Sequence, residues 1–408
     1  MAVNPSAEPD LSSPELIIDP YAGFGRLREQ APVLRGRTED GTPVWLVTRF
    51  QDVRAVLSDH RFVATLASVP AVGVDDRNRE LELVGVPVAL TGYLTGTIQD
   101  VDGPAHVRLR KLVTRAFTAR RVAALRPRVE QITHRLLDEF TAPVDLIEDF
   151  AYPLPITVIC ELIGVPEADR PAWRRWSTAL VTMNPHILPS AVADMVEHAH
   201  DLVRRRRMAP ADDLVTELAH ATDDEGNRLT DSELVATLHL LVIAGHETTA
   251  HLIGNGAVAL LAHPDQLELL RREPRCWPAA VHELMRWCGP LLTRLRYAAT
   301  DVELGGVRIR AGEAVQVVLV SANFDPREYS EPDRFDVTRQ PPRGGEGHVG
   351  FGYGPHYCLG AALARQEAEV ALRALFERYP RLALDVDEPA WVPMPGMRLM
   401  AELPVRLG

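Results

Sequence analysis

The segment "GFGYGPHYCLGAALARQEAEVALRALF", Gly350 to Phe376, places one cysteine where a glycine-rich loop becomes a long helical pattern. Gly352 and Gly354 allow sharp turns in front of Cys358, and Gly360 leaves room behind it for a flat group. Free N–H groups and the dipole at a helix start favour an anion. We therefore predict that Cys358 is held as a thiolate and serves as a ligand for a soft metal.

Cys358 has no chelating neighbours in the sequence. Cys160, Cys276 and Cys288 are widely separated and form no CxxC pair, which argues against a disulfide framework and a structural zinc site. We expect these three to be buried as small hydrophobes. A metal held by a single cysteine must bring its other ligands, and haem iron does so with one axial thiolate. The loop 350–360 is thus predicted to bind haem.

Composition limits the remaining classes of protein. The chain has 408 residues, 46% of them hydrophobic, and a net charge of -12. This length allows a large core, and the acidic balance argues against a nucleic-acid partner. The N-terminus is polar and proline-rich without an export signal, and the apolar run at 240–245 is far shorter than a membrane span. We predict a cytoplasmic globular protein.

Helical patterns dominate, and neither an internal repeat nor a low-complexity linker is present. We predict a single domain over 1–408, mainly α with small β-sheets. An early β-hairpin flanks "TEDGT" (38–42), and short strands with a Gly-Gly turn are predicted near 291–320. Residues 63–103 lack periodicity and are predicted to form an irregular substrate-access loop. Further helices are predicted at about 150–164, 168–182, 190–208 and 359–378.

One helix is predicted to run across the whole domain, over 231–262. Thr230 and Glu233 form a capping box before it, and Pro264 ends it after about 48 Å. Its apolar middle is interrupted by "IAGHETTAH", in which Thr248 is placed to bond back to the Ala244 carbonyl. Buried polar groups need hydrogen-bond partners, so this stripe either lines a wet cleft or forms part of a reaction site.

Three motifs together resemble the cytochrome P450 family. "FGYGPHYCLG" resembles its F-x-x-G-x-x-x-C-x-G haem-binding signature, "AGHETT" (244–249) its oxygen-activating segment, and "ELMR" (283–286) its E-x-x-R pair. They occur in the family's order and spacing, and the resemblance covers nearly the whole chain. It implies the cytochrome P450 fold of the soluble bacterial type, with the central helix over the haem and the cysteine-bearing loop beneath it.

The resemblance assigns roles to individual residues. Cys358 is the implied iron ligand of haem b, with Phe351 beside the sulfur and Ala244 and Gly360 against the ring. The implied partners of the haem propionates are His106, Arg110, Arg296 and His356. Glu283 and Arg286 are implied to hold the loop together with a third basic residue, for which Arg334 is the candidate and Arg339 the alternative.

The implied reaction is the insertion of one oxygen atom from O₂ into a hydrophobic small molecule, by hydroxylation or epoxidation. Glu247 and Thr248 are the implied acid–alcohol pair that delivers protons. The chain carries no flavin or dinucleotide fingerprint, so electrons from NAD(P)H are expected to arrive through ferredoxin reductase and ferredoxin. The substrate, by analogy a macrolide or other polyketide-like metabolite, is expected to contact the 63–103 segment and five apolar residues: Leu240, Ile243, Leu291, Leu292 and Met397.

Other interpretations remain open at this point. A haem-thiolate peroxygenase, a C–C coupling enzyme and a non-catalytic haem sensor are alternatives to the monooxygenase. The intact acid–alcohol pair favours the monooxygenase, and a sensor would need an output module. The basic cluster of Arg108, Lys111, Arg115, Arg120 and Arg121 is either a ferredoxin-steering patch or a solvated helix face. His246 is predicted to have no role of its own.

Overall fold

The computed structural model describes residues 8–70, 72, 76–340 and 345–408. Helices form most of it. In chain order they are α1 (Pro14–Ile18), α2 (Pro20–Gln30), α3 (Phe50–Ser58), α4 (Asp76–Leu83), α5 (Val88–Thr95), α6 (Gly103–Ala116), α7 (Ala119–Ala124), α8 (Arg126–Asp138), α9 (Pro153–Ile163), α10 (Arg170–Thr182), α11 (Leu188–Met208), α12 (Leu214–His220), α13 (Asp231–Ala262), α14 (Pro264–Arg272), α15 (Trp277–Cys288), α16 (Leu319–Asn323) and α17 (Ala361–Arg378).

The strands are short. They are β1 (Val33–Arg37), β2 (Pro43–Val47), β3 (Phe62–Val63), β4 (Val144–Asp145), β5 (Thr293–Ala298), β6 (Val302–Leu304), β7 (Val307–Ile309), β8 (Ala314–Val318), β9 (Ala383–Leu384), β10 (Ala390–Val392), β11 (Leu399–Glu402) and β12 (Pro404–Arg406). The largest sheet has five strands in the order β1-β2-β8-β5-β3, and the smaller sheets are β4-β12-β9, β10-β11 and β6-β7. The prediction of a mainly α fold with small β-sheets is confirmed.

The five-stranded sheet combines three strands from the N-terminal part of the chain, β1 to β3, with β5 and β8 from much later in the sequence. The predicted hairpin is present, because β1 and β2 pair antiparallel with Val33 opposite Val47. β2 then pairs in parallel with β8, and β8 pairs antiparallel with β5 so that Arg296 lies opposite Val315. The predicted Gly-Gly turn connects β6 and β7, and both of its glycines have positive φ. This sheet fixes the position of β5 and of the arginines that β5 carries.

Helix α13 forms the centre of the helical part. It packs against α5, α9, α11, α15 and α17, and most of its residues are buried. Its start matches the prediction, since the Thr230 side chain accepts from the Glu233 N–H (3.2 Å) while the Glu233 carboxylate accepts from the Thr230 N–H (2.9 Å). A helix that is apolar on most faces belongs in a core. The polar groups in its middle therefore lie inside the protein.

The prediction that 63–103 is irregular throughout is wrong for two stretches. The segment contains α4 and α5, and α5 packs against α11 and α13. Each helix has only eight residues, too few to establish a clear apolar period. Residues 71 and 73–75 of this segment lie outside the described residues.

Other boundaries differ by a few residues. The helices predicted at 150–164, 168–182, 190–208 and 359–378 correspond to α9, α10, α11 and α17. The strand signal near 320 ends instead in the short helix α16. Among the described helices, none has the length and apolar composition that crossing a membrane requires.

Candidate active site

The glycine-rich segment 350–360 forms a tightly fixed loop in front of α17. The Cys358 N–H donates to the Phe351 carbonyl at 2.9 Å, which closes the loop on itself. Gly354 has φ of +73°, and a Cβ at this position would lie 2.6 Å from the Leu57 carbonyl oxygen of α3. Only glycine fits such a left-handed position against a neighbouring backbone. The loop is thus held both by its own hydrogen bond and by its packing on α3.

A large cavity separates this loop from α13. It encloses about 1520 Å³ of space between atoms, part of it open to solvent. Phe351, Cys358 and Gly360 lie on one wall, and Ala244 and Thr248 lie on the wall formed by α13.

Electrostatics at Cys358 differ from the prediction based on the helix start alone. The cysteine lies three residues before the first residue of α17, and burial raises the pKa of its thiol. The Gly360 N–H and the guanidinium groups of Arg294 and Arg110 oppose that rise without overcoming it. The protein on its own thus favours the thiol, whereas a coordinated metal removes the thiol proton outright. The site is suited to a cysteine that becomes a thiolate on metal binding.

The predicted cationic residues meet at one part of the cavity. Arg110, Arg296 and His356 line it, and burial lowers the pKa of Arg296 to about 10. His106 is 4% exposed, its ring lies 4.2 Å from that of His356, and its Nε2 has no hydrogen-bond partner in the described structure. Burial, together with the charge of His356, lowers the pKa of His106 to about 4. His106 therefore has hydrogen-bonding capacity that the protein itself leaves unused, whereas His356 Nε2 lies 3.1 Å from an Asp102 carboxylate oxygen.

Arg294 is a cation that the sequence interpretation missed. It lines the same cavity, and burial lowers the pKa of its guanidinium. Arg294 and Arg296 are two apart on β5, and residues two apart on a strand share a face. The alternation of arginine with other residues in "TRLR" (293–296) could have indicated that both arginines lie on one face of a strand. Buried cations need anions, so Arg110, Arg294 and Arg296 together fit a ligand that carries carboxylates.

These features fit haem. Cys358 on one wall would ligate the iron, and Arg110, Arg294 and Arg296 would pair with the two propionates. Gly360 lies beside the sulfur, where a Cβ would make an ordinary van der Waals contact with Sγ at 3.9 Å. The chemistry of the donor set therefore agrees with a haem bound through Cys358.

The predicted acid–alcohol pair is divided between two sides of α13. Thr248 lines the cavity, and its hydroxyl donates to the Ala244 carbonyl at 2.8 Å, as expected. Glu247 is buried away from the cavity wall, where the Tyr152 hydroxyl donates to its Oε1 at 2.6 Å. His251 lies 3.3 Å from the same oxygen. Any proton that Glu247 supplies must therefore pass from behind the helix to the Thr248 side.

The E-x-x-R pair is buried, as the resemblance implied. The Arg286 guanidinium donates to both carboxylate oxygens of Glu283 at 2.7 Å, and also to the backbone carbonyls of Asn323 and Pro332. The Asn323 carbonyl lies at the end of α16, and the Pro332 carbonyl lies in the irregular segment that leads to the cysteine loop. The pair thus connects α15 to the chain preceding Cys358.

The choice of Arg334 as third partner is wrong, and the alternative Arg339 is correct. Arg339 lies 3.2 Å from the Glu283 carboxylate with a largely buried side chain. The Arg334 side chain is 60% exposed and pairs with Glu331, while its backbone carbonyl accepts from Arg339. The turn at 331–336 directs the Arg334 side chain outward, and charge alone does not reveal that direction.

Glu346 organises a second polar cluster at the loop that the sequence did not reveal. Its carboxylate accepts from the Tyr357 hydroxyl of the loop and from the Arg365 guanidinium of α17, the latter at 2.6 Å. His282 of α15 lies 3.2 Å from its other oxygen. Burial alone would raise the pKa of Glu346, but the contact with His282, the hydrogen bond from Tyr357 and the charge of Arg365 lower it to about 2. This carboxylate therefore links α15 and α17 to the residue beside Cys358.

The predicted substrate residues divide into two groups. Leu240 and Leu291 line the cavity, and Met397 forms a backbone bridge with Leu291. Ile243 and Leu292 were wrongly assigned. The cavity stripe of α13 runs through Leu240, Ala244 and Thr248 at a spacing of four, and Ile243 falls beside it. Leu292 is 4% exposed and packs in a core cluster with Phe24 and Val318.

The basic cluster near α6 is largely neutralised within the protein. Arg108 pairs with Glu233, both Lys111 and Arg115 pair with Asp224, and Arg121 pairs with Asp212 and Glu217. Surface charges that already have partners contribute less to long-range steering. The interpretation of this cluster as a ferredoxin-steering patch therefore loses support.

Comparison with known proteins identifies the family. The family model for cytochrome P450 matches residues 184–275 and 277–405. The chain is 44% identical over 407 residues to 6-deoxyerythronolide B hydroxylase of Saccharopolyspora erythraea, covering 98% of each chain. It is 43% identical over 396 residues to the cytochrome P450 monooxygenase PikC of Streptomyces venezuelae, covering 95% of this chain and 91% of PikC.

The fold comparison agrees. The solved structure of the bacillaene polyketide synthase cytochrome P450 PksS of Bacillus subtilis 168 superposes with a TM-score of 0.88 at 34% identity, covering 97% of this chain and 99% of that one. The chain belongs to the cytochrome P450 family. As such it is a haem-binding monooxygenase that uses O₂, reducing equivalents from redox partners and a small-molecule substrate.

Proposed function

We propose that the protein hydroxylates or epoxidises a hydrophobic macrolide- or polyketide-like secondary metabolite. The supporting observation is the cavity between Cys358 and Thr248, whose remaining wall is largely aliphatic and includes Leu240, Leu241 and Leu291. Such a wall favours an apolar substrate of some size. The names of similar proteins support the same substrate class. One of them is mycinamicin IV hydroxylase/epoxidase of Micromonospora griseorubida, at 41% identity over 393 residues.

We propose haem b as the cofactor, held through Cys358 with its propionates between Arg110, Arg294, Arg296, His106 and His356. Haem supplies the activation of O₂, and its thiolate ligand favours O–O cleavage. Phe351 and Gly360 shape the wall around the sulfur. Glu283, Arg286 and Arg339 act at a distance, because they fix the segment that precedes the loop.

The proposed task of Glu247 and Thr248 is proton delivery into the cavity. Thr248 presents a hydroxyl to the cavity, and that hydroxyl is tied to the Ala244 carbonyl. Glu247 holds a carboxyl group one residue away on the buried side of the same helix. The presence of both groups supports a monooxygenase over a peroxygenase, since a peroxide-using enzyme does not need that delivery.

We further propose that the chain is a single cytochrome P450 domain and that its electrons come from NAD(P)H through a ferredoxin reductase and a ferredoxin. The support is the near-complete mutual coverage with single P450 chains and the lack of a flavin or dinucleotide fingerprint in the sequence. With the α6 cluster neutralised, the docking surface of the ferredoxin is left unassigned.

Substrate binding tests the proposal directly. The haem-loaded protein is titrated with macrolactones, with long-chain fatty acids and with a polar sugar control, and the spin state of the haem is followed optically. We expect the macrolactones to bind best and to gain one oxygen atom by mass spectrometry when a reductase and ferredoxin are added. Leu291→Ala should weaken their binding by about 10-fold, the cost of losing aliphatic contact.

Leu295→Ala is the matched control, because Leu295 is 38% exposed on the opposite face of β5. Its affinity should equal that of the parent. Preferential oxidation of the fatty acids, or equal effects of the two leucine variants, would contradict the proposed substrate class and pocket.

A further inference from the structure

Glu247 and its neighbour His246 are both buried, with 6% and 1% of their surface exposed. The two carboxylate oxygens of Glu247 have different surroundings. Oε1 receives the Tyr152 hydroxyl and lies near His251, while Oε2 lies 3.5 Å from His246 Nε2. The partners of the two histidines determine which nitrogen of each ring carries hydrogen.

His251 is a hydrogen donor towards Glu247. The backbone N–H of Met400 donates to His251 Nδ1 at 3.3 Å, so in the neutral ring the hydrogen is on Nε2. That nitrogen lies 3.0 Å from the Tyr152 oxygen and 3.3 Å from Glu247 Oε1. Oε1 is thus surrounded by donors and is well satisfied.

His246 has the opposite tautomer. Its Nδ1 lies 2.7 Å from the Val242 carbonyl oxygen, which only accepts, so the hydrogen of the neutral ring is on Nδ1. Nε2 then presents a lone pair, and it has no hydrogen-bond partner in the described structure. A buried lone pair that faces the Oε2 of a carboxylate brings two acceptors together, and such a contact is satisfied when one proton lies between them.

We propose that His246 is the proton-loading partner of Glu247, and that one proton is held between His246 Nε2 and Glu247 Oε2 behind the cavity wall. Bulk water supplies a proton to His246 Nε2, and the N–H bond so formed then breaks as the O–H bond forms on Glu247 Oε2. It then leaves Glu247 for a water on the Thr248 side, and His246 returns to its neutral form. This inference rests on the roles proposed above for Glu247 and Thr248.

The surroundings lower the pKa of both groups, so a proton between them is readily released. Burial lowers the pKa of His246, against the opposing effect of the Val242 carbonyl and the Glu247 charge. Burial alone would raise the pKa of Glu247, but hydrogen bonds from His251 and Tyr152 lower it. Groups that relay a proton work best when their pKa lies near the working pH.

Charged groups at the surface act on Tyr152, the residue that donates to Glu247. Tyr152 is half-buried, and the charges of Arg174 on α10 and Glu148 act on it. Those two residues form a 2.6 Å ion pair, in which Glu148 is 63% exposed. Glu148, Arg174, Tyr152 and His251 are therefore the charged and titratable groups that face the pair from the neighbouring elements.

His246→Asn tests the proposal, since the asparagine amide keeps a donor for the Val242 carbonyl and removes the proton-accepting nitrogen. We expect unchanged haem content and an unchanged carbon monoxide spectrum, with peroxide released per product raised by about 10-fold or more, because delivery of protons is impaired. His263→Asn is the control. His263 Nδ1 makes the same contact four residues back, to the Ala259 carbonyl at 2.8 Å, but at the far end of α13.

A second readout does not depend on turnover. The ¹⁵N shifts of His246 are followed from pH 5 to 8 in the reduced carbon monoxide complex, in the parent and in Glu247→Gln. If the pair shares a proton, removing the carboxylate should move the His246 titration to lower pH. An unchanged His246 titration would overturn the relay alone. So would a His246→Asn variant that forms as much product per reducing equivalent as the parent while Thr248→Ala releases peroxide. If Thr248→Ala and Glu247→Gln also remain fully coupled, the proposed acid–alcohol roles themselves fail.

Discussion

At the scale of single residues, the carboxylate of Glu283 binds two guanidinium groups inside the protein. Glu283 and Arg286 are each 2% exposed, and Arg339 completes the group. Removing one member of a buried ion pair costs roughly 3–5 kcal/mol, because the remaining charge is left without a partner. The three side chains also hold several backbone carbonyls of the segment before Cys358. Their loss should therefore affect both stability and the cysteine loop.

Arg339→Met is expected to lower the free energy of unfolding by about 3 kcal/mol, and to reduce the fraction of protein that retains haem-thiolate coordination. Urea unfolding and the carbon monoxide difference spectrum measure the two effects. Arg334→Met is the matched control, because Arg334 is exposed and its surface pair is worth less than about 1 kcal/mol. Equal losses in the two variants would contradict the assignment of Arg339.

The residues predicted from the sequence are those whose role follows from local order. Cys358 and Thr248 lie in short motifs, and the structure brings both to the cavity. Arg294 was missed because its importance depends on which face of β5 it occupies and on what lies opposite. Ile243 and Leu292 were misassigned for the same reason, since an apolar side chain suits a pocket wall and a core equally well.

At the scale of elements, the cysteine loop and α3 approach each other at the backbone. A Cβ on Gly354 would lie 2.6 Å from the Leu57 carbonyl oxygen and 2.9 Å from Ser58 Cα. Gly352 has nearly the same φ, +74°, yet the nearest atom to its hypothetical Cβ is 3.7 Å away. A side chain at Gly352 would therefore cost only the left-handed backbone conformation. A side chain at Gly354 would cost the same and would also collide with α3.

Gly352→Ala is expected to cost about 1–2 kcal/mol, the penalty for a side chain in a left-handed position. Gly354→Ala should lose about 1–3 kcal/mol more, because α3 or the loop must move aside, and it should bind haem less completely. Thermal unfolding and haem content at fixed protein concentration provide the comparison. Identical behaviour of the two variants would show that the approach of α3 does not constrain the loop.

The long helix α13 was predicted to the residue, because its capping box and the following proline are encoded within a few positions of its ends. The 63–103 segment was misjudged, because α4 and α5 are stabilised mainly by what they pack against. α5 mixes apolar residues with Thr91 and Thr95 and packs against α11 and α13, and no local sequence pattern predicts those neighbours. Tertiary packing decides the structure where short helices carry no period of their own.

At the scale of the whole molecule, several histidines are buried in the fold as neutral groups. Burial lowers the pKa of His239 in α13 to about 4 and that of His348, before the cysteine loop, to about 3. The unfolded chain binds a proton at each near pH 6.5. Because the folded pKa lies below the unfolded one, the unfolded state takes up more protons as the pH falls below 6.5. The stability of the protein must therefore decrease in that direction.

Between pH 7 and pH 5 we expect each of these two histidines to lower the free energy of unfolding by about 2 kcal/mol. His239→Leu should remove the contribution of His239, so the free energy of unfolding should decrease less between pH 7 and pH 5. Urea unfolding at several pH values measures this change. His60→Leu serves as the control, because the His60 side chain is 96% exposed. A decline that is unchanged in His239→Leu would contradict a neutral His239.

The pairing of β5 with β8 has a consequence for making chimeras from related chains. Arg294 and Arg296 reach the cavity only because both occupy the same alternating face of β5 in its present register. A junction that adds one residue before Thr293, and that β5 absorbs by sliding along its neighbour, would turn Leu295 inward and both guanidinium groups outward. Cofactor retention in a library of recombined sequences should therefore follow whether the inserted length is odd or even, more closely than the similarity of the exchanged segments.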